Sequence, residues 1–281
     1  MQKVKNLPTD DLPARLCSKD TIVQSEAILQ ISLLTETDRT ALMPIMGKLV
    51  DLLSDKEEKV YFYAYRALSA LVNQKELADR KEASEKMAPL LLEQWLSGTK
   101  GKEAAERACS ILNMISEKSP SALLPYAKQI ADKVNESLQH AEMGCMLLGR
   151  LAIAEPGNED VSRQVVSLLT HSLGTPVNRQ YQYHYFATKI LRPLLRASEE
   201  DKRLESYLAV LTPVLKETLE KYVSEGDPRA TRAMDAFFIC ATTQRRDLVP
   251  AGVKGLALKA ADFKDEGVRL SANTLLNALK E

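Results

Sequence analysis

Three histidines, four cysteines and one tyrosine-rich basic segment are the residues of this 281-residue chain whose types and spacing invite a chemical reading. The histidines are His140, His171 and His184, and the cysteines are Cys17, Cys109, Cys145 and Cys240. His140 and Cys145 fall on one predicted helix, but at about 100° per residue they stand about 140° apart, so the pair cannot share a metal ion without ligands from elsewhere. No CxxC pair occurs and the cysteines are widely separated, so they read as reduced thiols in a cytoplasmic setting. No GxSxG, HExxH, P-loop or GxGxxG stands in a context that would let it act. The expectation is a chain that is not an enzyme, with no catalytic residue, no metal and no cofactor.

The segment RQYQYHYFATKILRPLLR, residues 179–196, carries more information. With Ala187 taken as buried, Tyr181, Tyr185, Lys189 and Arg192 point about 120° to 200° away from it on a helix. Arg196 joins them where Pro193 only kinks the helix, and not where Pro193 ends it. The window 161–198 holds Arg163, Arg179, Lys189, Arg192 and Arg196 and no acidic residue. An exposed tyrosine offers apolar area with a polar tip, and arginine offers a fork that matches carboxylate or phosphate, so the expected ligand is an acidic or phosphorylated segment of a protein or peptide. A second stretch, VYFYAYRAL at 60–68, places Tyr61 and Tyr65 at the same offsets from Ala67 that Tyr181 and Tyr185 hold from Ala187. The alternative reading is that Tyr63, Tyr183 and Phe186 are core residues and their neighbours simply pack against adjacent repeats.

The elements that must position these residues repeat. Ala27, Ala67, Ala108, Gly144, Ala187, Ala233 and Ala272 recur at intervals of 40, 41, 36, 43, 46 and 39 residues. Four positions after each, on the same helical face, stand Ile31, Leu71, Leu112, Leu148, Leu191, Phe237 and Leu276, all large and apolar. Each of the last six segments follows another amphipathic stretch, at about 38–53, 81–96, 120–134, 159–173, 200–222 and 246–260. Five of those stretches carry a proline, Pro44, Pro89, Pro125, Pro213 or Pro250, which predicts a recurring bend. Ser119 with Pro120, Thr175 with Pro176, and Asp227 with Pro228 are predicted helix starts, each a capping oxygen before proline. No stretch alternates with period two, so the chain is expected to be all-α.

Helix pairs about 41 residues apart, the proline of the first helix, and the run D-x-x-V-R-x-x-A at Asp265, Val268, Arg269 and Ala272 together resemble HEAT repeats of the armadillo-like superfamily. Arg107, Arg229 and Arg232 keep part of that pattern in earlier pairs. The resemblance implies an all-α, right-handed α-α superhelix of about six helix pairs plus an opening helix, over residues 18–281, behind an irregular leader at 1–17. Leu7, Leu12 and Leu16 are placed to cover the open end of its core. It also implies that second helices line the concave face, which would turn the 179–196 segment into the groove. Other activities on this scaffold find no support: tryptophan occurs once, as Trp95, and no His-Glu dipeptide is present.

Lys plus Arg number 38 and Asp plus Glu also number 38, so no net charge concentrates the protein on polyanions. No window approaches 18 uninterrupted apolar residues and the first residues lack the apolar run of a signal peptide, so neither a membrane span nor secretion by that route is expected. The expected function is a noncatalytic scaffold or adaptor, monomeric outside its complex, that binds a protein partner through Tyr181, Tyr185, Lys189, Arg192, Arg196, Tyr61 and Tyr65. Nucleic-acid handling by the same basic and aromatic helix is the alternative from another class, and a structural subunit of a larger assembly is the third.

Overall fold

The last helix shows why the Asp-x-x-Val-Arg run matters. Asp265 accepts a hydrogen bond from the Val268 N–H at 2.9 Å and so satisfies one of the orphan donors at the helix start. Val268 and Ala272 are buried. Arg269 turns back and donates to the carbonyls of Phe263 and Lys264 at 2.9 and 2.7 Å. Asp20 and Asn158 cap two other helices in the same way, Asp20 through the Ile22 N–H at 2.8 Å and Asn158 through the Val161 N–H at 3.1 Å.

The computed structural model describes residues 7–176, 181–243 and 245–280. These form two compact units, Met1–Pro125 and Tyr126–Glu281. In the first, α1 (Leu12–Leu16) and α2 (Thr21–Thr37) open the chain, followed by α3 (Met46–Leu52), α4 (Glu58–Val72), α5 (Leu77–Ser97) and α6 (Lys102–Lys118). Helices α2, α4 and α6 pack side by side as one layer, and α3 and α5 pack behind them as the other. In the second unit, α7 (Ala127–Glu136) pairs with α8 (Leu138–Ala154), and α9 (Glu159–Gly174) pairs with a long helix. That helix consists of α10 (Tyr181–Phe186), a π-helical turn at Ala187–Leu191 and α11 (Arg192–Glu200). Then α12 (Glu205–Glu225) pairs with α13 (Ala230–Thr242), and α14 (Val253–Ala260) with α15 (Glu266–Ala278). Among the described residues the result is six helix pairs after the two opening helices α1 and α2, with no strand.

Every residue of the two repeat columns is buried, from Ala27 and Ile31 to Ala272 and Leu276. The register read from the small residues is therefore the packing register. Residues expected to be an irregular leader include the short helix α1, in which Leu12 and Leu16 are fully buried; Leu7 is half-buried and its carbonyl accepts from Gln30 at 2.7 Å.

The prolines act in three ways rather than one. Pro44 and Pro125 sit in 3-10 segments, Arg39–Ile45 and Pro120–Tyr126, that lead into α3 and α7. Pro89 and Pro213 lie inside the continuous helices α5 and α12. Pro250 lies in the turn ahead of α14, outside any helix, which corrects the expected internal bend there. Of the three predicted caps, Asp227 accepts from the Arg229 N–H at 2.8 Å. Ser119 precedes a 3-10 segment and its buried hydroxyl has no partner. Thr175 instead ends α9, and the start expected after Pro176 lies outside the described residues.

Pro193 does not end its helix. It lacks the N–H that the Lys189 carbonyl would receive in an α-helix, and the chain absorbs the defect as a π turn in which the Arg192 N–H donates to the Ala187 carbonyl. The Lys189 carbonyl is pressed against Gly149 on α8, so closely that a Cβ at Gly149 would overlap its oxygen. Gly149→Ala should therefore destabilise the protein by about 1 to 3 kcal/mol through overpacking against main chain. Gly255→Ala, in α14 with nothing within 4 Å of the added carbon, should instead stabilise by about 0.5 to 1 kcal/mol. Urea melts of both variants read the contrast, and equal stabilities would overturn the close approach.

Candidate functional site

The three second helices of the last three pairs are not evenly spaced. The long helix packs on α8, and α13 packs on α15, but among the described residues α10 and α11 make few close approaches to α13. What draws α13 toward the preceding pair is Arg232. It is 4% exposed, and its guanidinium donates to the carbonyls of Ser172, Thr175 and Pro176 at 2.7, 2.7 and 2.9 Å and to the Thr175 hydroxyl at 2.8 Å. Arg229 adds a bond to the Gly174 carbonyl at 2.9 Å while stacking over Tyr222 at 4.7 Å. Both side chains reach the end of α9, so α13 is tied to the first-helix layer.

A groove of about 780 Å³ opens in the gap, walled by α10 and the π turn on one side and by α13 and α15 on the other. Tyr181, His184, Thr188 and Arg192 line the first wall. These are spaced i, i+3, i+7 and i+11, one stripe of a helix. Asp235 and Phe238 of α13, with Leu270 and Ser271 of α15, line the other. Tyr181 is 57% exposed and Leu270 68%, an unusual display for large apolar side chains facing a cleft.

The groove divides the residues expected from the sequence. Tyr181 and Arg192 are on its wall. Tyr185 is half-buried and meets the His184 ring edge-to-face at 5.7 Å. Lys189 forms an ion pair with Glu142 of α8 at 2.9 Å, so the structure gives it a use within the fold. Arg196 is exposed, one turn beyond Arg192, and the helix does continue through Pro193 to hold it. Of the other basic residues in that window, Arg163 pairs with Asp160 at 3.3 Å and Arg179 lies outside the described residues. Among the described residues neither Arg192 nor Arg196 is in an ion pair. In the first unit, the Tyr61 ring is covered by the Arg107 guanidinium at 3.5 Å, and Arg107 also donates to the Leu53 carbonyl at 2.7 Å. Tyr65 is half-buried on the same helix.

Buried polar groups give the groove its electrostatics. Tyr183 is 7% exposed, reaches the groove, and its hydroxyl has no hydrogen-bond partner. Burial pushes that phenol well above its usual range, and the nearby Asp235 carboxylate adds to the effect. Asp235 meets solvent at the groove yet is hemmed in by protein; loss of hydration pushes its carboxyl up to about 6, against a hydrogen bond with Ser271 that favours the charged form. Burial also raises the thiols of Cys109, Cys145 and Cys240 to about 12, so none is primed as a nucleophile. His140 is buried and held toward its neutral form by desolvation and by Lys133. Among the described residues no group of three or more His, Cys, Asp or Glu is arranged to hold a metal, and no helix is long and apolar enough to cross a membrane.

Within each unit, helix pairs that pack on one another over a buried small-residue column make this an all-α repeat protein, the architecture that the resemblance to HEAT repeats implies. No protein-family model matches the chain, and no curated protein matches it. Among solved structures, an engineered protein aligns over 100% of this chain and 99% of its own at 17% identity and a TM-score of 0.37. A designed armadillo repeat protein in complex with the peptide (KR)4 aligns over 97% of this chain and 99% of its own at 15% identity and a TM-score of 0.33. Computationally designed armadillo repeat proteins for modular peptide recognition align over 96% and 98% at 15% identity and a TM-score of 0.31. Scores this low carry no argument about what this chain binds.

Asp235 gives the site a measurable signature. Its folded-state value near 6 exceeds the ordinary aspartate value, so between about 4 and 6 the folded chain holds a proton that the unfolded chain has released. The favourable contribution is full below that window and is lost as pH rises through about 6. Carboxyl carbon NMR should show Asp235 titrating near 6, and Asp235→Asn should flatten the fall in urea stability across the window. Titration at the ordinary value would remove the desolvated site.

Proposed function

We propose that this chain is a noncatalytic scaffold that holds an acidic segment of a protein partner in the groove between α10–α11, α13 and α15. The observation that carries the reading is that Tyr181 and Leu270 display apolar surface on opposite walls of a groove also lined by Arg192, a cation with no ion-pair partner among the described residues. Apolar area supplies contact and the guanidinium selects and orients an anion. Arg196 extends the positive charge one turn along the same helix. Tyr185, Tyr61, Tyr65 and Lys189 contribute secondary contact area at most, since Tyr61 and Lys189 are already engaged. Binding of DNA or RNA is not favoured by this arrangement, because phosphate backbones are held by several free cations and, among the described residues, the basic window retains two. The dispersed, unpaired thiols fit a reducing cytoplasmic setting, and a monomer is the expected state outside the complex.

The double substitution Tyr181→Ala with Leu270→Arg removes one apolar wall and puts a long cation in the other. Quantitative affinity capture from the native cell, with the full-length wild type and this variant side by side, should show a specific set of proteins reduced by about tenfold or more while helical circular dichroism is unchanged. Equal recovery of every captured protein by the folded variant would sink the groove as the binding face.

A further inference from the structure

The walls of the groove constrain the conformation of whatever segment lies in it. Every described residue that lines it belongs to a helix or to the π-helical turn, so the cleft offers no sheet edge with which a peptide main chain could pair. The wall hydroxyls are turned back on their own elements. Thr188 donates to the His184 carbonyl at 2.8 Å, Thr231 to the Pro228 carbonyl at 3.0 Å and Thr274 to the Leu270 carbonyl at 2.8 Å. Arg232 is spent on the main-chain oxygens at the end of α9, and Asp235 is engaged by Ser271. Among the described residues no Asn or Gln, the side chains that hold a donor and an acceptor side by side for a peptide unit, lines the cleft. An extended segment brings one N–H and one C=O per residue, and those turned toward these walls would lose water without gaining partners. A helix enters with its main chain already satisfied.

We propose that the groove receives an amphipathic α-helix of the protein partner, laid along α10–α11 with its apolar face on Tyr181, Phe238 and Leu270 and its acidic residues at one end, against Arg192 and Arg196. The assignment rests on the scaffold reading above and specifies the form of its ligand. Tyr181 and Arg192 stand on one stripe of the wall, separated by about 16 Å along the helix axis. A partner helix lying alongside covers that length in about eleven residues, whereas an extended segment covers it in about five. The spacing between the apolar anchor and the acid therefore differs between the two forms. Three turns of helix with side chains displace roughly 1,300 to 1,900 Å³. A groove of about 780 Å³ takes about half of that cylinder and leaves the polar half in water. Arg196, one turn past Arg192 and exposed, matches a second acid about one turn beyond the first on the partner. Neither arginine is in an ion pair among the described residues, so that end of the groove selects acids and repels a basic helix.

The test uses the full chain and four blocked, fluorescently labelled peptides read by anisotropy. Two are helices locked by a staple on the polar face, each with a leucine stripe and a pair of glutamates about eleven residues from the far leucine, at the C-terminal end in one and at the N-terminal end in the other. The third repeats the first without the staple and with proline at two interior positions, which removes the helix. The fourth is flexible and sets leucine and glutamate about five residues apart. One stapled order should bind saturably and about tenfold or more tightly than the proline and short-spaced peptides. Arg192→Gln with Arg196→Gln, and separately Leu270→Gln, should each weaken it about tenfold, as should glutamine in place of its glutamates. These three side chains are exposed, so the variants are expected to fold, and circular dichroism with a cooperative melt checks each one. Equal or tighter binding of the proline or short-spaced peptide, binding indifferent to both groove variants, or no saturable binding of either stapled peptide by about 1 mM would each overturn the helix receptor. If Tyr181→Ala with Leu270→Arg loses cellular partners while both stapled peptides fail, the helical form falls and the scaffold stands. If that variant keeps every partner as well, the scaffold reading itself falls.

Discussion

Arg232 donates to main-chain oxygens of Ser172, Leu173, Thr175 and Pro176, and in doing so it fixes both the stacking of the later repeats and the shape of the groove. A helix C-terminus leaves carbonyls without intrahelical donors, and a guanidinium brings several donors in one plane. Burying that charge is unfavourable, and desolvation pulls its acidity in the direction of the neutral form. The cost is offset because both terminal nitrogens find oxygens at the end of α9. Replacing the arginine would leave both a second helix and the end of the preceding first helix without partners. In the first unit Arg107 does a lighter version of the same work, with bonds to the Leu53 and Asp55 carbonyls at 2.7 and 3.3 Å. Arg269 repeats it locally at the last pair.

The same bond explains why a cleft appears where it does. A stack in which every second helix packed equally on the next would bury its facing side chains and leave no groove. Arg232 and Arg229 hold α13 by its first turn to the end of α9, and Tyr222 reaches the Leu173 carbonyl at 3.3 Å from α12. Those contacts are satisfied through the turn region, so the middle of α13 does not need to lie against α10. Tyr183 is left at the bottom of the gap with its ring buried and its hydroxyl unmatched.

The repeat was legible in the sequence because burial imposes it residue by residue: Ala108 and Leu112, or Ala233 and Phe237, occupy a face where only one size fits. Tyr181 and Arg192 were legible for a related reason, since eleven residues bring an α-helix back to nearly the same side. His184 and Thr188 belong to that stripe and were passed over because Lys189 drew the reading toward the adjacent side, where Glu142 neutralises it. Asp235, Phe238, Leu270 and Ser271 could not be assigned from their own helices. Their role depends on which two repeats stand apart, and that is decided by where Arg232 finds its oxygens, a contact about 57 to 60 residues away in sequence. The arginine was visible as part of a repeat pattern; its target was not.

Local charge pairing also changes the meaning of the acid-free window. Along the sequence it concentrates five cations, but acids outside it reach in: Asp160 meets Arg163, and Glu142 meets Lys189 across two helices. Among the described residues, what survives folding is a small positive remainder at Arg192 and Arg196 beside one reluctant acid, Asp235. The π turn belongs to this economy of placement. Pro193 forces it, Gly149 makes room for the displaced Lys189 carbonyl, and the helix goes on past it, with Arg192 on the groove wall and Arg196 one turn beyond. A proline and a glycine, on helices of neighbouring repeats, thus set the local backbone of the wall that carries Arg192.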